Sequence, residues 1–155
     1  MTSTIVTQRN VGGLGKVKRL SAAAAGTAGG TGDNTQVTGV TIDRMVGGAL
    51  AGSLALAIIG EATLAAAATL SLAYTAQDSA DGTNWTTYAT GANAVISTGA
   101  TGGSTNGIEL DIDIDLGPAK RFVRILFTPD LSAANTDTFA LRAVGFLAGF
   151  DRVPQ

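Results

Sequence analysis

The stretch Thr69 to Tyr88, TLSLAYTAQDSADGTNWTTY, decides the fold together with Gly107 to Phe127, GIELDIDIDLGPAKRFVRILF. From Thr69 to Gln77, larger apolar residues alternate with small or polar ones, which is the period of two of a half-buried β-strand. From Ile108 to Leu116, alternate apolar residues stand opposite a run of acidic residues. A helix would scatter both sets, so both stretches are predicted to be strands.

Turn signals divide the rest of the chain into further short apolar segments. Asp78 to Gly82 is a polar turn after the first strand, and Gly117 to Lys120 is predicted to be a hairpin connection. Between Arg44 and Leu70, where alanine and leucine would also suit a helix, glycines favour a short buried strand followed by a loop at Gly60 to Ala67. The other predicted strands are Val37 to Asp43, Ser53 to Ile59, Trp85 to Ala89, Asn93 to Ser97, Arg121 to Thr128 and Thr138 to Phe150.

Eight predicted strands and no predicted helix indicate an all-β protein. We therefore expect a single-domain antiparallel β-sandwich, jelly-roll-like, with an extended N-terminal arm. An up-and-down barrel and an immunoglobulin-like sandwich differ from it mainly in connectivity, which the sequence leaves open. The domain division is an arm over residues 1–32, rich in glycine, alanine and basic residues, and a sandwich over residues 33–155.

Composition limits the classes of function. The chain has 155 residues, of which 14% are charged, and no cysteine or histidine. The absence of both residue types removes thiolate and imidazole chemistry and the usual zinc sites, so no enzyme activity, metal or cofactor is predicted. A net charge of −2 disfavours nucleic acid as a partner. The uncharged run from Met45 to Gly60 is shorter than the roughly 20 residues of a membrane span.

The arm carries basic residues and no acidic ones. Its candidate contacts with a partner are Arg9, Lys16, Lys18 and Arg19, and they precede a glycine-rich and alanine-rich stretch that lacks the large apolar residues of a packed core. One interpretation is a strap that lies on a neighbouring subunit, and the other is a disordered terminus. The sequence does not separate the two.

Acidic side chains on one predicted strand form the second candidate site, which comprises Glu109, Asp111, Asp113 and Asp115. Side chains two residues apart on a strand are separated by about 6.6 Å, whereas calcium requires six to eight oxygens at roughly 2.3 to 2.6 Å. A glycosidase pair is conceivable from separation alone. We favour a charged ladder that meets Arg121, Arg124 or Arg142 across strands or across a subunit boundary.

Two smaller groups have alternative interpretations. Asp78, Asp81 and Asn84 resemble the start of a calcium loop, but they lack its spacing and its terminal glutamate, so a plain turn is favoured. The only tryptophan, Trp85, together with Tyr74 and Tyr88, would suit a sugar-stacking platform if exposed. If buried, Trp85 anchors the core.

Several local motifs resemble capsid decoration (cement) proteins of tailed bacteriophages. They are Ile42-Asp43-Arg44, the turn Gln77 to Gly82 followed by Trp85, Lys120 to Arg124, and Thr128-Pro129-Asp130. The resemblance covers roughly residues 37–148. It implies a jelly-roll fold, a homotrimer, and a seat on the major capsid protein where its hexamers and pentamers meet.

The sequence and the resemblance together predict a non-enzymatic virion structural protein. It would stabilise an assembled phage capsid through subunit contacts, on the capsid surface, after synthesis in the cytoplasm of a bacterial host. Its expected partners are further copies of itself and the major capsid protein, without nucleic acid or membrane. The alternative is a carbohydrate-binding module, or an adhesin or tail-type β-sandwich, in which Trp85 and Tyr88 stack on a sugar.

Overall fold

A computed structural model describes residues 13–132 and 136–152. Strands dominate this part of the chain, and no helix in it is long and apolar enough to span a membrane. The strands are β1 Lys16–Arg19, β2 Ala24–Thr27, β3 Val37–Thr38, β4 Ile42–Asp43, β5 Met45–Val46, β6 Ala49–Leu64, β7 Thr69–Ser79, β8 Thr86–Thr98, β9 Ser104–Asp115, β10 Phe122–Leu131 and β11 Thr138–Phe150.

The first sheet is built around β6 and β11, which pair antiparallel along almost their whole length. Strands β1 and β2 pair one after the other with the far side of β11. Strand β9 pairs with the other side of β6, and β5 pairs with its first residues. The described order is therefore β1 and β2, then β11, then β6, and then β9, with β5 beside the first residues of β6. Strands β1 and β9 lie at opposite edges.

The second sheet is built around β7 and β10. Strand β8 pairs with the outer side of β7 through several register shifts, and the short strands β3 and β4 pair in succession with β10. Its described order is β3 and β4, then β10, then β7, then β8. All of these pairings are antiparallel.

The strand order is that of a jelly roll. With β1 and β2 counted as one position, and β3 and β4 as another, the described residues contain eight positions and the accessory strand β5. The first sheet then holds positions one, eight, three and six, and the second holds two, seven, four and five. This order interleaves the two halves of the chain as the two Greek keys of a jelly roll do. The predicted antiparallel β-sandwich is confirmed.

Alternating side chains from the two sheets form the core. Phe127 on β10 and Leu70 on β7 are almost completely buried, and they share the interior with Leu54 on β6 and Leu141 on β11. On β9, Ile108 and Ile114 are buried while the residues between them on the opposite face are exposed. The period of two in the sequence is therefore the period of burial.

The second half of the predicted arm belongs to the sandwich. Lys16–Arg19 and Ala24–Thr27 both pair with β11, and Leu20 between them is only 1% exposed. A boundary at residue 32 therefore separates two segments that share one sheet. The earlier part of the arm, including Arg9, lies outside the described residues.

Several predicted connections and strand ends differ from those of the structure. The predicted loop at Gly60 to Ala67 is wrong over its first residues, because β6 continues to Leu64. The predicted hairpin at Gly117 to Lys120 instead crosses between sheets, from β9 to β10. Pro129 lies inside β10. Its carbonyl accepts a hydrogen bond from the Asn34 amide, so the proline nitrogen faces the same side, away from β7, where no ladder donor is required.

Candidate functional site

The acidic residues of β9 lie on one exposed face of an edge strand. Glu109, Asp111, Asp113 and Asp115 are all exposed, and they alternate with the buried or half-buried residues of the other face. None of the four carboxylates forms an ion pair within the described residues, where both ion pairs lie elsewhere. Asp115 accepts a hydrogen bond from the amide of Gly117. The face therefore presents four negative charges without a cationic partner.

Strand register places these carboxylates in rows that cross the outer face of the first sheet. One row runs through Asp111, Ala57, Val144 and Arg19. The next runs through Asp113, Ala55, Phe146 and Val17. A third runs through Glu109, Ile59 and Arg142. The middle of each row is largely apolar, one end is acidic, and the opposite end carries a cation or Val17.

This surface, which we call the outer face, exposes large apolar side chains at its β1 edge and in its middle. Val17 is 76% exposed and Ile59 is 39% exposed. The ring of Phe146 lies against Gly15, where a β-carbon would meet it at 1.9 Å. A shallow hollow of about 270 Å³ lies beside Ile59 and Arg142. Exposed apolar side chains beside charged ones are typical of a surface that binds another protein.

Two of the arginines predicted to meet the acidic strand have other partners. Arg121 binds the carboxylate of Asp43 through two nitrogens, and Arg121 is the main cause of the lowered pKa of Asp43. Arg124 donates to the side chain of Gln77. Only Arg142 lies on the outer face, and it forms no hydrogen bond or ion pair with another described residue.

The described basic residues of the arm separate onto the two faces of β1. Arg19 is exposed on the outer face, in the row of Asp111. Lys16 and Lys18 alternate with it on the half-buried face, and Lys18 contributes a small lowering of the Asp43 pKa. Of the described arm residues that were named as partner contacts, Arg19 is the one that the fold places opposite the acidic edge.

A buried polar cluster at one end of the sandwich was not expected as a group. Asp78 accepts hydrogen bonds from the backbone amide and the ammonium group of Lys120 and from the hydroxyl of Thr86. Nearby, Arg44 is 3% exposed and donates to the carbonyl of Leu116. Burial lowers the pKa of Arg44. No alternation pattern marks these residues, because they meet only when the two sheets close.

The residues that resembled a calcium loop form a turn. One carboxylate oxygen of Asp81 accepts hydrogen bonds from the backbone amides of Asn84 and Thr83 and from the hydroxyl of Ser79. These bonds, led by the one from Asn84, lower the pKa of Asp81 far below its ordinary value. Among the described residues, no group of three acidic side chains is placed to hold a metal ion.

The three aromatic residues do not form one platform. Trp85 stacks with the guanidinium of Arg124 at 4.3 Å, on the outer side of the second sheet. Tyr74 pairs with Phe127, whose side chain is in the core, so the two share the inner side. Tyr74 and Tyr88 line a cleft of about 290 Å³ between β8 and β9, and the Tyr88 hydroxyl donates to the carbonyl of Asp115.

Comparisons with known proteins give only distant structural likeness. No family model and no curated protein matches the chain. A structure of infectious bursal disease virus, Gt strain, is 16% identical over 87% of this chain and 33% of its own, with a TM-score of 0.43. A structure of the Gx strain is 12% identical over 90% of this chain and 33% of its own, with a TM-score of 0.47. A VP2 subviral particle of the same virus is 14% identical over 87% of this chain and 33% of its own, with a TM-score of 0.47.

The chain spans about a third of the length of these solved structures. At such low identities and TM-scores, the likeness assigns neither a family nor a function to it. The functional argument therefore depends on the chain's own surface.

Proposed function

We propose that this protein is a non-enzymatic structural component of a virion, which binds the assembled capsid of a phage and stabilises it through subunit contacts. The observation that carries the proposal is the outer face, on which Ile59 is exposed and Phe146 is half-buried between the acidic edge on β9 and the edge on β1, where Val17 and Arg19 are exposed. Contact of these apolar side chains with water is unfavourable, and a protein partner would remove their apolar area from water.

The chemistry of the described residues supports a structural role over catalysis. The chain has no histidine or cysteine. The buried carboxylate of Asp78 is held by Lys120 and Thr86, so its hydrogen-bonding capacity is used within the fold. The acidic residues of β9 are exposed rather than enclosed, and a site that stabilises charge in a transition state is normally shielded from water. These features favour binding as the function.

The proposal can be tested with particles purified from cells in which the chain's gene is expressed. A lysate is separated on a density gradient, and the chain is located with an antibody. We expect it to sediment with DNA-filled particles, and we expect particles made without its gene to release DNA at a lower temperature. Binding that occurs only to the assembled lattice stabilises that state by mass action.

A matched variant connects the result to the outer face. Ile59→Asp places a charge in the apolar middle of the face without touching the core, since Ile59 is 39% exposed. Loss of sedimentation by this variant, with an unchanged unfolding midpoint, is the expected result. If the parent chain stays at the top of the gradient and particles lacking it are equally stable, the proposed function is wrong.

A second candidate function is carbohydrate binding, which the cleft between β8 and β9 favours. Tyr74 and Tyr88 line it, and aromatic rings beside hydrogen-bonding groups suit a sugar. Trp85 does not contribute, because Arg124 covers its ring. A glycan array tests this candidate: binding that is lost in Tyr74→Ala and kept in Arg124→Ala would support it, and no binding at high protein concentration would exclude it.

A further inference from the structure

We infer that the outer face of the first sheet binds the same face of a second copy of this chain, about a two-fold axis that runs parallel to the strands. The inference deepens the proposed function, because it names a second copy of the chain as the partner that covers the outer face, and the capsid then contacts the remaining surfaces of the dimer. It predicts a contact of the purified protein with itself, so it can fail while binding to a capsid succeeds.

The first argument is the position of the charges. Arg19 on β1 and Asp111 on β9 lie in one row, at opposite edges of the sheet. Three strand spacings separate them, about 14 Å in total, so they cannot pair within one chain. A rotation of 180° about an axis parallel to the strands exchanges the two edges and keeps each row at its own level. It therefore places Arg19 of each copy over Asp111 of the other, twice in one interface.

Other arrangements of two copies satisfy fewer groups. A two-fold axis in the plane of the interface but perpendicular to the strands would place the acidic edge over the acidic edge, which is unfavourable. A side-by-side ring, as in the trimer that the resemblance implies, could join β9 of one copy to β1 of the next. That ring would leave Ile59 and Phe146 facing water, since both lie in the middle strands.

The second argument is the shape of the middle strands. The same rotation places β11 of one copy over β6 of the other. Phe146 on β11 then faces Ala55 on β6, and Val144 faces Ala57, because these residues are register partners. In each of these pairs, a large side chain of one copy meets a small side chain of the other, and the two-fold axis produces each pair twice. Two sheets that pack face to face stand about 10 Å apart with strands roughly aligned, and interdigitation of this kind fills the gap.

The third argument is the remaining cation of the face. Arg142 on β11 is exposed and has no described partner of its own. Its row ends in Glu109. After the rotation, Glu109 of the second copy stands over the strand position next to Arg142, above the hollow that Arg142 lines. A face with an isologous contact must be complementary to itself. The charges of the first and third rows meet that condition, while in the second row Asp113 of one copy stands over Val17 of the other.

Sedimentation of the purified full chain at micromolar concentrations tests the contact. We expect a dimer for the parent, and at least about a tenfold weaker dimer for Ala55→Glu, since that change buries an unpaired charge in the middle of the interface. Val95→Glu is the matched control, because Val95 is 58% exposed on β8 of the second sheet. Its dimer should be unchanged. A monomeric or trimeric parent overturns the inference, and so does a control that weakens the dimer equally.

A charge exchange tests the orientation of the axis. Arg19→Asp alone and Asp111→Arg alone should each weaken the dimer about tenfold, because each creates two like-charge contacts. The double variant should restore the parent affinity. Circular dichroism and unfolding midpoints confirm that each variant is folded, since both positions are exposed. A double variant that is weaker than either single one would overturn the parallel axis, as would single variants that dimerise like the parent.

Discussion

Replacing the buried Asp78 by asparagine should destabilise the protein more than the same replacement at any exposed aspartate. Asp78 is 6% exposed and accepts three hydrogen bonds, two from Lys120 and one from Thr86. It thereby fastens the crossing from β9 to β10 onto β7 and β8. Asp78→Asn preserves the size of the side chain and removes one acceptor oxygen and the charge.

The magnitude follows from the geometry of those bonds. If the amide oxygen keeps the position of Oδ1, the amide nitrogen faces the backbone N–H of Lys120, and two donors oppose each other. If the amide flips, the bond to the Lys120 ammonium group is lost. Hydrogen bonds to charged groups contribute about 1.5 to 3 kcal/mol each, and an unsatisfied buried donor costs a similar amount. We expect a loss of roughly 2 to 4 kcal/mol at pH 7.

The loss should depend on pH. Burial by itself would raise the pKa of Asp78, but the hydrogen bonds from Thr86 and Lys120 together outweigh it and hold the pKa below its ordinary value of 3.8. Since the folded-state pKa is depressed, the stabilisation is fully present above the unfolded value. It is lost as the pH falls below that value and through the folded pKa. The difference between parent and Asp78→Asn should therefore be constant above about pH 5 and shrink towards pH 2.

Urea unfolding, followed by the fluorescence of Trp85, measures the effect. With an m-value of about 2 kcal/mol/M, a loss of 3 kcal/mol lowers the midpoint by about 1.5 M. Asp113→Asn, at an exposed carboxylate outside the core, is the control and should leave the midpoint within about 0.3 M. Equal midpoints for Asp78→Asn and the parent at pH 7, or a difference that persists unchanged at pH 2, would refute the reasoning.

Three further perturbations test the packing. Gly60→Ala should cost at least about 3 kcal/mol, because a β-carbon would lie 2.0 Å from the Ala140 carbonyl oxygen, whereas Gly107→Ala meets nothing within 4 Å and should change the urea midpoint little. Leu54→Ala should cost about 2 to 5 kcal/mol in the same unfolding assay, because Leu54 is fully buried. Arg124→Ala should change the Trp85 emission maximum without altering the far-ultraviolet spectrum, and identical emission would contradict the stacked geometry.

The strands with a clear alternation were predictable from the sequence. Strand β9 keeps its acidic residues on one face and its isoleucines on the other, as the pattern indicates. Strand β1 was missed because its four residues include a single apolar one, and β2 was missed because its small residues carry no alternation signal. They are held by main-chain hydrogen bonds to β11, and Gly15 and Gly26 leave room for the rings of Phe146 and Phe139. Their glycines therefore serve packing rather than flexibility.

Contacts between distant segments were not predictable. The turn chemistry of Gly117 to Lys120 indicates that the chain reverses, but not which sheet it enters. The arginine partners likewise depend on strand order. Arg121 meets Asp43 because β10 pairs with β4, and Arg142 shares a row with Glu109 because β6 lies between β11 and β9. Alternation specifies a face of a strand, whereas the neighbour of that face is set by the topology.

The charges on β9 have a simpler explanation, which the Asp111→Arg variant separates from the two-fold contact. An edge strand with open backbone groups invites pairing with other chains, and charged side chains protect it. Protection requires charge but not a particular sign, so arginine at position 111 should protect β9 as well as aspartate does. The jelly-roll order, however, places β1 and β9 at opposite edges of one sheet, and the sequence assigns them opposite signs in one row. Edge protection alone predicts a soluble Asp111→Arg variant with the parent's mass, whereas a self-complementary face predicts a soluble variant that dissociates.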